Sequence, residues 1–286
     1  MAWFYSFGYL QLFLVVVAFA CPLDAFAATT KSRVSLKSAQ WVVINDTVMG
    51  GRSKATLSWN RKSELVWKGQ LSLENNGGFV SMRTENQWMD WSRYDGLEVV
   101  LAGFGREIQI TAQRRDRIIR AGGYRALVPT NAQGDTKVFI PFSAFVLKRF
   151  GRAIWGPSLA SNVREIGELG LLIADKREGN FKVVLKSIQP ARYTPSKRIQ
   201  RGVGAAVTEA IQQGVPLFNS GDARGCELVY RETLRRLLRK NQLGTGTWAK
   251  RLAESALAKA LNENPTQAAW TLRRAMDGIL RCLDQN

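Results

Sequence analysis

The hydrophobic rhythm of the chain changes once. From Trp41 to Tyr193 apolar residues come in short runs broken by Gly, Asn, Asp and Ser, the pattern of strands joined by turns. The strands predicted are Trp41–Ile44, Ala55–Trp59, Leu65–Trp67, Gln70–Leu73, Phe79–Arg83, Gly96–Leu101, Glu107–Gln113, Tyr124–Leu127, Lys137–Pro141, Leu169–Ala174 and Phe181–Gln189. Period-two alternation is clearest in Glu107-Ile-Gln-Ile-Thr-Ala112, where Ile108 and Ile110 share a face. Pro141 to Phe145 ends a strand and turns a corner. Residues 154–166 read as a longer loop with one short helical turn. Strands without helices between them predict a sandwich, not a parallel α/β sheet.

Thr194-Pro195-Ser196 reads as a linker, and from Ile199 the apolar spacing is helical. A first helix is predicted over Val203–Gln213, stopped by Gly214-Val215-Pro216. A second, Asp222–Lys240, places Cys226, Tyr230, Leu234, Leu237 and Leu238 on one face. A third, Thr247–Asn262, has Trp248, Leu252, Ala256 and Leu261 as its stripe. The fourth starts with Asn264 as cap and Pro265 at its first position, and turns Leu272, Met276, Ile279 and Leu283 inward. The expected fold is therefore mainly β: a β-sandwich over residues 35–193, then a small helical bundle over 199–286.

Residues 1–27 read as a signal peptide. Leu10 to Ala20 is apolar apart from Gln11, and Ala25-Phe26-Ala27 suits a small-x-small cleavage site. The run is short for a membrane span. Localisation outside the cytoplasm follows, periplasmic or secreted. Composition narrows the chemistry. The chain has no histidine, which excludes Ser-His-Asp and Cys-His catalysis and any His-ligated metal. Its formal charge is +18, and loss of residues 1–27 removes Asp24 and no basic residue. Such a balance suits acidic partners, an anionic membrane surface among them. The charge is spread, not blocked, and the Arg-rich helix faces read as solvated surface, so a nucleic-acid partner is not expected.

The stretch of greatest interest is Trp41-Val-Val-Ile-Asn-Asp-Thr-Val-Met-Gly-Gly-Arg-Ser53. A strand breaks into Asn45-Asp46, whose side chains can set a turn. Gly50-Gly51 permits positive φ or a close backbone approach. On residue chemistry alone the stretch is either a well-made bulged hairpin or a functional loop. With the preceding Trp, it resembles the N-D-x-V-M-G-G-x-S motif of the NADH:ubiquinone oxidoreductase (complex I) intermediate-associated protein family. Gly69 to Arg83, containing Ser72-Leu-Glu-Asn-Asn-Gly-Gly-Phe-Val-Ser-Met-Arg83, is similar to that family's second motif. The resemblance covers residues 35–193 and implies a galactose-binding-like jelly roll and a part in assembling multi-subunit membrane complexes. Binding residues expected on this basis are Asn45, Asp46, Met49, Gly50, Gly51, Arg52, Asn75, Asn76 and Arg83, with the two loops packed together. Trp88 and Trp91 read either as core or as loop aromatics that grip a partner.

No catalytic motif, metal site or cofactor is expected. Gly103-Phe104-Gly105-Arg106 runs on into a strand and reads as a hairpin turn, not a dinucleotide loop. Asp46, Glu74, Asp90, Asp95 and Asp175 have no spacing that implies a site and read as solvated caps. Cys226 and Cys282, the cysteines left after residue 27, either form a disulfide or remain buried thiols. Two function classes follow: a non-catalytic binding and assembly protein with a protein partner, or a module that binds carbohydrate or another small ligand. The export reading has a direct check. N-terminal sequencing of the protein from its native host should begin at Ala28; a cytosolic chain that retains Met1 would exclude export.

Overall fold

Among the described residues, twelve strands form two antiparallel sheets, and four α-helices follow them. The computed structural model describes residues 35–85, 87–103, 105–115, 122–131, 133–192 and 199–283. The signal-peptide reading, the linker at 194–196 and Phe104 fall outside them. The strands are β1 (Trp41–Asn45), β2 (Lys54–Trp59), β3 (Leu65–Leu71), β4 (Val80–Thr84), β5 (Gly96–Ala102), β6 (Ile108–Arg114), β7 (Gly123–Val128), β8 (Thr136–Pro141), β9 (Val146–Arg149), β10 (Arg152–Ala153), β11 (Ile166–Ile173) and β12 (Gly179–Ala191). One sheet has the order β1-β4-β11-β6-β7-β9-β10, the other β2-β3-β12-β5-β8. The fold class is as expected, a jelly-roll sandwich followed by helices.

Alternation decides which side chains fill the sandwich. Ile108, Ile110 and Ala112 of β6, Tyr124, Ala126 and Val128 of β7, and Val138 and Ile140 of β8 point into the core. The edges of the two sheets also line up. β1 and β2 stand at one side, where the chain crosses between sheets twice: β1 to β2, and β3 to β4. At the other side β8 ends in a 3₁₀ turn, Phe142–Ala144, the corner expected after Pro141.

Two strand readings change. Leu65–Trp67 and Gln70–Leu73 are one strand, because Gly69 carries the chain past β2 without a side chain. A Cβ there would lie 2.1 Å from the Lys54 carbonyl oxygen. The β9–β10 hairpin was not anticipated; Phe150 and Gly151 at its tip both have positive φ. Of the two readings of Trp91, core or partner-gripping aromatic, the structure has the core one: it is fully buried and stacks on Phe142 with ring centroids 5.7 Å apart.

The helices are α1 (Val203–Asn219), α2 (Ala223–Arg239), α3 (Trp248–Ala260) and α4 (Pro265–Leu283). Capping side chains start three of them: Asp222 accepts from the Gly225 amide, Thr247 from Lys250 and Asn264 from Gln267. α1 does not stop at Gly214 but runs through Pro216. Gly214 is there for packing: a Cβ would meet the Tyr230 ring of α2 at 2.4 Å. Leu261, assigned to the stripe of α3, is exposed. No disulfide joins Cys226 to Cys282. Cys226 packs beside Tyr230 and Cys282 lies against Ser143 of the corner turn, and burial raises both thiols, Cys282 to about 12.

The helices pack on the sandwich at the side away from β1 and β2. Trp248 Nε1 donates to the Leu127 carbonyl at 3.1 Å, and Ser255 Oγ to the Thr130 carbonyl at 3.1 Å. Arg274 meets Glu107 at 3.2 Å. One continuous set of buried side chains runs from Trp67 to Ile279. No helix among the described residues is long and apolar enough to cross a membrane. Limited proteolysis should cut first between Tyr193 and Gly202. The two fragments should then co-elute on size exclusion, because the shared core holds them. Separation into two independent species would contradict that packing.

Candidate functional site

The Asn45–Ser53 stretch is one of the two crossovers between the sheets, and Asp46 lies at its centre. Residues Asp46–Met49 form a 3₁₀ turn closed by Gly50, whose φ is +87°. Asp46 itself is fully buried. Its Oδ1 accepts the Ser53 amide at 2.8 Å. Its Oδ2 accepts the Ser53 hydroxyl at 2.6 Å and the Gly78 amide at 2.7 Å, with the Phe79 amide at 3.4 Å. The Ser53 hydroxyl in turn accepts the Ser72 amide at 3.0 Å. These bonds gather the end of β1, the start of β2, the end of β3 and the approach to β4. One carboxylate and one hydroxyl staple two sheets at their shared edge.

The four glycines of the two crossovers divide between two tasks around that carboxylate. Gly51 and Gly77 give it room: a Cβ would stand 2.4 Å from Asp46 Cγ at position 51 and 2.6 Å from Asp46 Oδ2 at 77. Gly50 and Gly78 supply the positive φ that turns each crossover. Asn75 and Asn76 also have positive φ, 54° and 59°, conformations asparagine adopts more readily than other residues with a Cβ. Asn75 Nδ2 reaches the Gly50 carbonyl at 3.3 Å, and Arg52 pairs with Glu74 at 2.9 Å. The expected packing of the two loops is present.

The charge on Asp46 is held by donors, not by a cation. Among the described residues no ion pair includes it. Burial pushes its carboxyl upward, but the Ser53 hydroxyl and the amides of Gly78, Ser53 and Phe79 together hold it below the ordinary 3.8. All of its hydrogen bonds are made inside the fold, and no part of it reaches the surface. Asp175, also read as a solvated cap, has a buried side chain, which pairs with Arg106 at 2.9 Å.

The remaining candidates separate. Met49 is exposed beside Val48 at the crossover, at 68% and 73%, with Leu73 of the second crossover also exposed. Asn76 is exposed there too, while Asn45 closes β1 with a buried Oδ1 that has no hydrogen-bond partner. Arg83 lies along β4, not at the crossovers, and pairs with Glu168 at 3.1 Å. Trp88 is exposed under the Arg115 guanidinium, 4.9 Å from its ring centroid. Ser53 and Ser72 complete the staple and were not among the expected binding residues. The fixed serine that ends the first motif was the available signal.

The family model of complex I intermediate-associated protein 30 (CIA30) matches residues 26–185, more than half of the chain. The chain belongs to the CIA30 family. Both CIA30 motifs fall on the stapled crossovers. A comparison with curated proteins finds no match. Among solved structures, the family 11 carbohydrate-binding module of the cellulase Lic26A-Cel5E of Clostridium thermocellum is 14% identical, covering 54% of this chain and 88% of that one at a TM-score of 0.40. A Clostridium thermocellum family 11 module in complex with a mixed-linked tetrasaccharide is 12% identical, covering 56% and 95% at 0.41. The agarase AgWH50C is 10% identical, covering 65% of this chain and 32% of its own length at 0.36. At this distance the likeness transfers no site.

Substitutions separate the staple from its surface. Gly51→Val drives a methyl into Asp46 and should cost on the order of 1–3 kcal/mol in denaturant unfolding. Arg52→Ala loses an exposed ion pair and should cost less than about 1 kcal/mol. The folded carboxyl of Asp46 has the lower pKa, so its contribution is complete above the unfolded value near 3.8 and fades as pH falls through the folded value. Unfolding followed against pH should show this acid loss, and Asp46→Asn should remove that component.

Proposed function

We propose that this CIA30-family chain is a non-catalytic binding and assembly protein that acts on protein partners in the bacterial envelope. The observation that carries the reading is the display of Val48, Met49 and Leu73 beside Arg52, Asn75 and Asn76 on crossovers that Asp46 holds rigid. Exposed aliphatic side chains on a fixed backbone bind a protein surface with little ordering cost. A polar rim that includes the Arg52–Glu74 pair adds orientation. The family's name ties its members to association with intermediates of complex I. The basic surface and the export signal expected over residues 1–27 favour an envelope client. Asp46 is buried away from solvent and any substrate, and its donors hold it ionised, which favours a binding role over acid–base chemistry.

A second reading, a carbohydrate-binding module, draws on different residues. Trp155 is 99% exposed and Trp88 is exposed, and an indole face can stack on a sugar ring. The two readings make opposite predictions. Val48→Asp with Met49→Asp should abolish capture of the partner from envelope extracts and leave the melting temperature unchanged within about 2 °C. Under the carbohydrate reading the same variant keeps its ligand, and Trp155→Ala loses it on a glycan array. Partner capture unchanged by the double variant would refute the proposed binding edge.

A further inference from the structure

The seam between the sandwich and α4 gathers four cations, with Glu107 and Asp277 the acids beside them. In β7 and β9, Gly123 pairs with Lys148 and Arg125 with Val146. Tyr124 and Leu147 point into the core, so Arg125 and Lys148 face away from it as diagonal neighbours about 7–8 Å apart. Arg274 and Arg281 lie seven residues apart on α4, on one face. α4 packs against the 3₁₀ turn that leads into β9, and Arg274 reaches Glu107 at 3.2 Å just before β6. Arg274 and Arg281 are therefore placed beside the sheet, both partly buried.

These cations are half-buried and poorly compensated. Among the described residues, Glu107 is the only carboxylate paired with any of them, and it serves Arg274; Asp277, near Arg281 on α4, is paired with Arg273. Among the described residues, Arg125, Lys148 and Arg281 make no side-chain ion pair or hydrogen bond. The Nε atoms of Arg274 and Arg281 are buried without a hydrogen-bond partner. Burial, then Arg125 and Arg281, hold the Lys148 ammonium below its ordinary 10.5, with Glu107 opposing them. Like charges gathered in a partly desolvated seam raise the free energy of the fold unless something of opposite sign enters. Guanidinium groups suit a tetrahedral oxyanion through paired N–H donors, with the ammonium as a point charge beside them.

We propose that Arg125, Lys148, Arg274 and Arg281 form a binding site for a phosphate-bearing anion, either free phosphate or pyrophosphate or the phosphate of a lipid headgroup. The site is separate from the stapled crossovers. It would make the contact between helices and sheet depend on the anion.

The test is thermal unfolding of the full chain in pyrophosphate and in chloride at matched ionic strength. Pyrophosphate at about a hundredfold excess over its Kd should raise the melting temperature by about 5 °C or more over chloride. Lys148→Met should melt no lower than the wild type in chloride, because it relieves repulsion, and should lose the pyrophosphate shift. Arg281→Gln is the second variant, should Lys148→Met fold poorly. Flotation with phosphatidylglycerol vesicles, with and without pyrophosphate as competitor, separates the sources. Vesicle binding that pyrophosphate competes away and Lys148→Met abolishes identifies the headgroup. A melting shift without vesicle binding identifies the free anion. No shift over chloride in the wild type, or a shift of equal size in both variants, overturns the proposal.

Discussion

Everything distinctive in the sandwich depends on one buried carboxylate that must be satisfied without a counter-ion. An ionised group out of water is costly unless hydrogen bonds replace its hydration. Asp46 obtains those bonds from the Ser53 hydroxyl and from the amides of Ser53, Gly78 and Phe79, donors that belong to two different crossovers. Bonds to a charged group contribute about 1.5–3 kcal/mol each. The two sheets are thereby locked in register at the edge where neither has a further strand. The glycines follow from this constraint: two make room for the carboxylate and two turn the chain around it.

This arrangement explains how a motif can identify a family and still be mostly interior. Gly51, Gly77, Ser53 and Asp46 are fixed by the staple, while Val48, Met49 and Arg52 are displayed by it. Under the proposed binding role, function lies in the displayed residues, and the buried ones keep their backbone in place. The far side of the sandwich is built differently. There the helices cover the sheet through a shared apolar core and a few polar bonds, and the seam gathers cations. One edge is self-sufficient, and the other has charge left to compensate.

Much of the fold was legible because alternation and helical spacing are local signals. β6, β7 and the cap of α4 by Asn264 follow directly from neighbouring residues. The errors came where contacts distant in sequence decide. Gly69 looked like a strand break but is the point where β2 and β3 approach. Gly214 looked like a helix stop but makes room for Tyr230. Trp91 stood in a polar stretch, yet Phe142, far along the chain, supplies its stacking partner. At the site, the turn chemistry of Asn45-Asp46 and Gly50-Gly51 was readable. That the Asp46 carboxylate is interior was not, because its donors include amides some thirty residues away, and a sequence does not show which backbone groups meet.

The staple is tested most directly by hydrogen exchange at single amides. If Asp46 holds the crossovers, the Ser53 and Gly78 amides open only when the whole domain unfolds. They should then exchange as slowly as the amides of the central strand β11 and share its dependence on denaturant. Exchange as fast as that of the exposed Asn75 and Asn76 amides would mean that the crossovers open on their own, and would contradict the central role given to Asp46.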